Sequence, residues 1–435
     1  MNPILLKSGG RRESDGAYLC SVIVMGKHYA TEDYGALGKR TETLMDLVLE
    51  AHSSLAADSD LVVLEGAGSC TELNLMERDV VNLPLVRRLQ CPWLLVANID
   101  PGGVFAQIVG TKACLSDEDW GLCVGVIVNK LRGEAKYFEP GPSILESMVG
   151  KPIFVVPWLY DINIAEEDGM GLERKLANEQ SAYEADTDKQ RVAVVCYPHI
   201  SMTDDLLPVE MDSRFQLEWR RKTLPKPYPH TTTVVLPGSR QTRSDLDWLL
   251  KSPWKAFIQE HVVKGGTVLG LCGGYQMLGR DIVDAVGVES GKPGTDLALG
   301  LLPVTTALES TADKVVRAQK ATLQIDNTQV EVAGYEIHCG RTRLVNDESS
   351  ALTSEIRPLL QLQDGHHDGF SNGQVHGTYL HGILQNSTAR SFLLGGHVGA
   401  ESAITDPLSR LASHLEASGL DFKTLSNLIS KKSWP

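Results

Sequence analysis

The stretch Thr267-Val-Leu-Gly-Leu-Cys-Gly-Gly-Tyr-Gln-Met-Leu-Gly279 places one sulfur at a turn built for chemistry. Thr267 to Leu271 reads as a short buried strand and Tyr275 to Leu278 as the opening of a helix, with Cys272 at the bend between them. Glycines 270, 273 and 274 leave room for a cramped strand-to-helix elbow, from which the Cys272 side chain stands exposed above the sheet. There the helix N-terminus favours thiolate over thiol, the Gly273 N–H can point at an oxyanion, and a nearby histidine can shuttle the proton. A buried structural thiol is the commoner fate of a lone cysteine. Bulky residues would serve a plain core better than this ring of glycines, so the reading is a cysteine nucleophile.

A nucleophile of this kind needs a proton partner and amide donors. Of twelve histidines, His381 lies in Val375-His-Gly-Thr-Tyr-Leu-His-Gly382, a strand-like run ending in glycine. His376 and His338 compete with it, while His366 and His367 sit in an Asp/Gly-rich loop. Many Cys-His glutaminases place a Glu two residues after the His; here that position is Ile383, so an orienting acceptor must come from elsewhere. Amide donors are offered by Pro237-Gly-Ser239, which follows the apolar strand Thr233 to Leu236. Gly238 or Ser239 N–H can complete an oxyanion hole with Gly273, although Pro-Gly-Ser is by itself simply a good turn.

These elements belong to a larger alternation. Apolar runs at 61–65, 93–98, 124–129 and 153–156 alternate with helix-like segments such as Thr41 to Leu55. Such alternation means a parallel sheet covered on both faces, with ligands at the carboxyl ends of its strands. The residues at those ends are Glu65, Asn98, Asp100 and Asn129. An acid ending an apolar strand is either a magnesium ligand of the Walker-B type or a turn acid. Asn74, Arg78, Asp79 and Asn82 read as a solvated face. No stretch fits G-x-x-x-x-G-K-[ST], whose amides cradle phosphates; Gly26-Lys27-His28, Gly150-Lys151-Pro152 and Gly291-Lys292-Pro293 all lack the Ser or Thr.

A second α/β unit opens at Val192-Ala-Val-Val195, after a polar, charged segment at 169–190 that reads as the linker. Asp406-Pro407 with Leu408, Leu411 and Leu415, closed by Gly419, is a packing helix with its cap and stop. The 435 residues carry a net charge of −14, which argues against general nucleic-acid binding. No apolar run spans a bilayer and no secretory signal is visible. Eight scattered cysteines form no C-x-x-C pair and fit reduced thiols in a cytoplasmic protein.

Taken together, these motifs resemble the cobyric acid synthase family. The carriers are Met1-Asn-Pro-Ile-Leu-Leu-Lys7, Glu65-Gly-Ala-Gly-Ser69 with Asn74-Leu75, Asp100-Pro-Gly-Gly-Val-Phe105, Asn129-Lys130 with Arg132-Gly133, and Glu167-Asp168. They continue through Leu236-Pro-Gly-Ser239, Gly270 to Gln276, Gly334-Tyr-Glu-Ile-His338 and Gly377-Thr-Tyr-Leu-His-Gly382. The resemblance implies an α/β chain with a P-loop-type, dethiobiotin-synthetase-like parallel-sheet domain at 1–178 and a class I glutamine amidotransferase domain at 190–397. A C-terminal helical tail fills 398–435.

The resemblance makes Cys272 the nucleophile and His381 its base, with Gly273, Gly238 and Ser239 as oxyanion donors and Gln276 in contact with glutamine. It makes Glu65 and Asp100 magnesium ligands and puts Asn129 near the adenine of ATP. The implied reaction is ATP- and Mg2+-dependent amidation of corrinoid carboxylates with ammonia from glutamine. No nucleic acid or membrane takes part, and assembly into a homo-oligomer stays open. The family's P-loop, first strand and first helix are expected ahead of Met1, so the first domain is expected to be N-terminally incomplete and to bind ATP weakly. Cys70, Thr71, Asn98, Cys196 and Cys339 stand where the family usually has other residues. The a,c-diamide synthase of the same pathway, or a glutaminase without ATP chemistry that acts with a partner, are the alternatives.

Overall fold

The computed structural model describes residues 2–11, 15–160, 162, 172, 175–176, 189–289, 291–309, 314–325, 328–345, 356–396 and 407–430. Glu167, Asp168, Asp406 and most of the 169–190 segment lie outside them. The chain divides into two units, Met1–Ile162 with Leu408–Pro435 and Asn163–Pro407.

The first unit begins with three antiparallel strands that the apolar pattern does not announce, β1 (Ile4–Arg11), β2 (Tyr18–Val24) and β3 (Lys27–Asp33). Met25 and Gly26 join β2 to β3 with φ of 47° and 78°, the double positive φ of a twist-matched two-residue hairpin. The helix read at Thr41 to Leu55 runs Thr41–Ala57 and buries Leu44, Met45 and Ala51. Three of the four apolar runs then form a parallel sheet in the order β4 (Trp93–Asn98), β5 (Cys123–Leu131) and β6 (Ile153–Pro157). Helices Val104–Cys114 and Gly141–Val149 follow β4 and β5, and their Ile108 and Leu145 are fully buried in its core.

The fourth run departs from expectation. Residues 61–65 form no strand, and Val63 is 83% exposed. A strand exists only through its ladder, and among the described residues no segment pairs with this run. The tail helices Pro407–Ala417 and Phe422–Ser430 belong to this unit: His414 Nε2 lies 2.8 Å from the Pro157 carbonyl oxygen, and Gly419, at φ 80°, supplies the stop read from the sequence.

The strands of the second unit, in chain order, are β7 (Gln190–Val195), β8 (Ile200–Ser201), β9 (Phe215–Arg220), β10 (Thr233–Leu236), β11 (Gly238–Ser239) and β12 (Thr267–Leu271). There follow β13 (Asp281–Asp284), β14 (Gly294–Leu297), β15 (Val304–Leu308), β16 (Val315–Ile325), β17 (Thr328–His338) and β18 (Gly340–Leu344). The last are β19 (Arg357–Leu362), β20 (His367–Ser371), β21 (Val375–Thr378) and β22 (Leu380–His381). Ten of them make one sheet, ordered β22-β17-β16-β19-β20-β21-β12-β10-β7-β9. The inner strands of its parallel half, β21-β12-β10-β7-β9, are mostly apolar, and Val192 to Val195 and Val234 to Leu236 are fully buried.

Register fixes the site. Leu236 pairs with Gly270, and Leu271 with Thr378, so the carboxyl ends of β10, β12 and β21 arrive at one edge. After Thr378 the chain leaves the parallel half, and β22 pairs with β17, His381 opposite Tyr335. Among the described residues no helix is long and apolar enough to cross a membrane.

Candidate active site

Cys272 sits between β12 and a helix at Gly273–Leu278, with φ 51° and ψ −108°. A side-chain-bearing residue in this region is strained and persists only where its surroundings over-determine it. The positive φ falls on the cysteine itself; the glycines around it supply space. A Cβ on Gly274 would stand 1.9 Å from the Leu236 carbonyl oxygen, so this helix start can approach β10 only through glycine. Gly274 N donates to the Pro237 carbonyl and Cys272 N to that of Thr378, tying the elbow to both neighbouring strands. The Cys272 thiol points along β17, donating to the Ile337 carbonyl at 3.6 Å.

His381 is buried, and two contacts hold its ring while a third holds the backbone beside it. Nδ1 lies 2.6 Å from Asp205 Oδ2, Tyr335 stacks on it at 5.2 Å and 18°, and Gly382 N donates to Asp205 Oδ1 at 2.8 Å. Among the described residues Nε2 has no hydrogen-bond partner. Burial works against charging this ring, but Asp205 and the Cys272 sulfur outweigh it and hold its pKa at about 10. The competing histidines are otherwise engaged. His376 is sealed in the core against Ser371, and burial pushes its pKa down to about 4. His338 Nδ1 lies 2.8 Å from the Gly340 carbonyl, with the ring stacked on Tyr379 at 3.8 Å.

The predicted oxyanion donors are next to the sulfur. A Cβ on Gly273 would meet Ser239 N at 2.9 Å, so the two amide-bearing segments touch. The Gly238–Ser239 strand pairs with β8 and is braced from below by the fully buried Asp245, which accepts from Ser239 Oγ at 2.6 Å and His199 N at 3.0 Å. Gln276 is buried: its Nε2 donates to Tyr379 Oη at 3.1 Å, and its Oε1 has no partner. Asp205 was not singled out in the sequence, and Tyr335, Tyr379 and Asp245 carried only the family resemblance, with no role of their own. Asp205 and His381 are 176 positions apart, and only the sheet order brings them together.

In the first unit Asn98 and Asn129 face each other in register at the carboxyl ends of β4 and β5. Asn129 Oδ1 accepts from Lys130 N at 2.8 Å. Asp100 gives its carboxylate to Arg132, Nε to Oδ1 at 2.5 Å, and that guanidinium lies 4.9 Å over Trp158. Glu65 is exposed. Among the described residues no group of three or more His, Cys, Asp or Glu gathers to hold a metal. The free carboxylate of Glu65 fits a magnesium ion carried mostly by phosphates and water, which needs only one or two protein carboxylates. Asp100 fits it less well, since its ion pair would have to open.

Comparison with known proteins identifies the family. The CobB/CobQ-like glutamine amidotransferase domain family matches residues 191–389, and an AAA domain family matches 18–164. Cobyric acid synthase of Chlorobaculum tepidum is 38% identical over 98% of this chain and 83% of its own length. Cobyric acid synthase of Roseiflexus castenholzii is 37% identical over 96% of this chain and 82% of its own. The chain belongs to the cobyric acid synthase family. It is accordingly an ATP-dependent amidoligase of cobalamin biosynthesis that uses glutamine, with a P-loop-type α/β domain followed by a glutamine amidotransferase domain.

Proposed function

We propose that Cys272 takes ammonia from glutamine with His381 as its proton partner. The first domain then uses that ammonia and ATP to amidate peripheral carboxylates of a corrin. The substrate is adenosylcobyrinic acid a,c-diamide, amidated at b, d, e and g to adenosylcobyric acid. The observation that carries the glutaminase reading is the strained Cys272 together with a buried imidazole whose Nε2 has no hydrogen-bond partner among the described residues and whose charged form Asp205 and the Cys272 sulfur favour.

The thiolate attacks the glutamine carboxamide carbon, and the tetrahedral oxyanion is met by amides of Gly273 and the Gly238–Ser239 strand. The His381 imidazolium gives its Nε2 proton to the departing ammonia. Neutral His381 then takes a proton from water as that water hydrolyses the thioester to glutamate. Gln276, one turn past the sulfur, lines the glutamine side from its buried position. In the first domain Asn129, at its strand end, would lie near the adenine of ATP, and Glu65 would hold a magnesium ion that screens the phosphate charge. Phosphoryl transfer from ATP activates the corrin carboxylate for attack by ammonia. The eight free thiols suit the reducing cytoplasm.

The test is incubation of the full chain with adenosylcobyrinic acid a,c-diamide, ATP, Mg2+ and glutamine, with products read by mass. Four added amides are expected. No added mass on this substrate, with amidation at a and c of cobyrinic acid offered in a parallel reaction, would overturn the substrate assignment while leaving the glutaminase centre untouched.

A further inference from the structure

The usual place for an acid that orients the catalytic histidine, two residues beyond it, holds Ile383, whose side chain is buried and apolar. His381 nevertheless carries a carboxylate on Nδ1. We propose that Asp205 is the positioning residue of the glutaminase centre, holding His381 in the tautomer and orientation that leave Nε2 free to exchange a proton with the Cys272 thiol. This rests on Cys272 and His381 being the reacting pair.

Three geometric facts support it. Asp205 is buried and places one oxygen on His381 Nδ1 at 2.6 Å and the other on the Gly382 amide at 2.8 Å, so the carboxylate clamps both the ring and the backbone that bears it. Asp205 is itself fixed in a short helical turn, Thr203–Leu206, entered through Met202 at φ 56°. That turn directly follows β8, which pairs with the Gly238–Ser239 strand. One segment, 200–206, therefore holds both the imidazole and the oxyanion strand. Tyr335 stacks over the buried ring.

The charged and titratable neighbours of His381 are few. Asp205 and the exposed Asp204 lie on the same turn, Cys272 on the elbow, and Tyr335 and Glu336 on β17. Glu336 is committed to Arg317 at 2.5 Å and lies 3.6 Å from His338, which leaves Asp205 as the anion that contacts the ring. A carboxylate there accepts Nδ1–H and stabilises the imidazolium formed when Sγ–H passes its proton to Nε2. The same proton then leaves on ammonia.

The experiment is Asp205→Asn in the full chain. Because Gly382 N–H must meet the amide oxygen, the amide NH2 faces His381 Nδ1, and the ring proton is forced onto Nε2, where it blocks proton uptake from the thiol. The expected result is a glutaminase kcat lower by ~10² to 10⁴, with little change in KM for glutamine. The alkaline limb of the kcat/KM profile should also move to lower pH, since the ring loses the anion that keeps it charged. Asp205→Glu should recover part of the rate. Amidation from added ammonia should persist in both, which separates this outcome from loss of the first domain. A purely structural Asp205 would leave the pH limb in place, and a folded Asp205→Asn protein within about threefold of the parent would overturn the proposal. Should the variants not fold, proton NMR of the unaltered protein decides it. A downfield Nδ1–H resonance, assigned by its loss in His381→Gln, should persist from neutral pH up to about 10. Its absence, or its titration near the ordinary value of 6.5, overturns the proposal equally.

Discussion

Gly334→Ala is the substitution that asks most of this geometry. Gly334 lies on β17 next to Tyr335, and a Cβ built on it would stand 1.9 Å from the His381 carbonyl oxygen, backbone against side chain with no flexible atom to yield. Ordinary contact begins at 3.4 Å, so β17 and β22 must part by about 1.5 Å to admit one methyl. β22 is only two residues long, and its His381 must meet Cys272 within hydrogen-bond reach. A 1 Å misplacement of a reacting group costs about 10²-fold. Glutaminase kcat should therefore fall by ~10² or more, at an overpacking cost of about 1–3 kcal/mol in stability. The assay is glutamate release, run beside thermal unfolding and ammonia-supported amidation, both of which should survive. A folded Gly334→Ala protein with a kcat within about threefold of the parent would refute the placement of His381 against β17.

His381→Ala should cut glutamine turnover by ~10² to 10⁴, whereas His376→Ala and His338→Ala should do less, measured as glutamate release at saturating glutamine. Arg390→Ala should destabilise the second unit by about 1–3 kcal/mol, read from the urea midpoint, because it removes one of two guanidinium partners of the fully buried Asp212, whose carboxylate takes Arg390 Nε at 2.9 Å and keeps Arg214 at 2.6 Å. The buried His376 is neutral in the fold, its pKa lowered to about 4 by burial. Below the ordinary 6.5 the unfolded chain binds the proton first, so stability should fall as pH drops from 6.5 to about 4. Asp368 acts in the opposite sense: burial raises its pKa to about 6, and the stability it contributes at low pH is lost as pH rises through that value. The difference between the parent and His376→Asn isolates the histidine, and equal acid slopes in the two would contradict this assignment.

The site was legible wherever its signal was local. The elbow at Cys272 announced itself because glycines at 270, 273 and 274 are costly in a plain strand-to-helix junction, and the structure shows what they avoid, notably the Leu236 carbonyl. Pro237-Gly-Ser239 read by itself as a good turn, and His381 stood only a little ahead of His376 and His338; strand register and sheet order are what bring both segments to the elbow. Asp205 was not legible, because no spacing connects it to His381 and the contact exists only once β22 has crossed to β17. The unlabelled hairpin of β2 and β3 hides behind an atypical Met-Gly turn. Residues 61–65 show the limit of apolar pattern as a guide: the run has strand composition but no ladder among the described residues, and strands are defined by pairs.

Replacing Cys272 with alanine and measuring corrin amidation from glutamine and from ammonia in the same preparation tests the central claim most directly. The account expects glutamine-supported amidation to vanish and ammonia-supported amidation to continue at the parent's rate, because the thiol serves only the release of ammonia. Equal loss of both, or glutamine-supported amidation that survives without the sulfur, would contradict it.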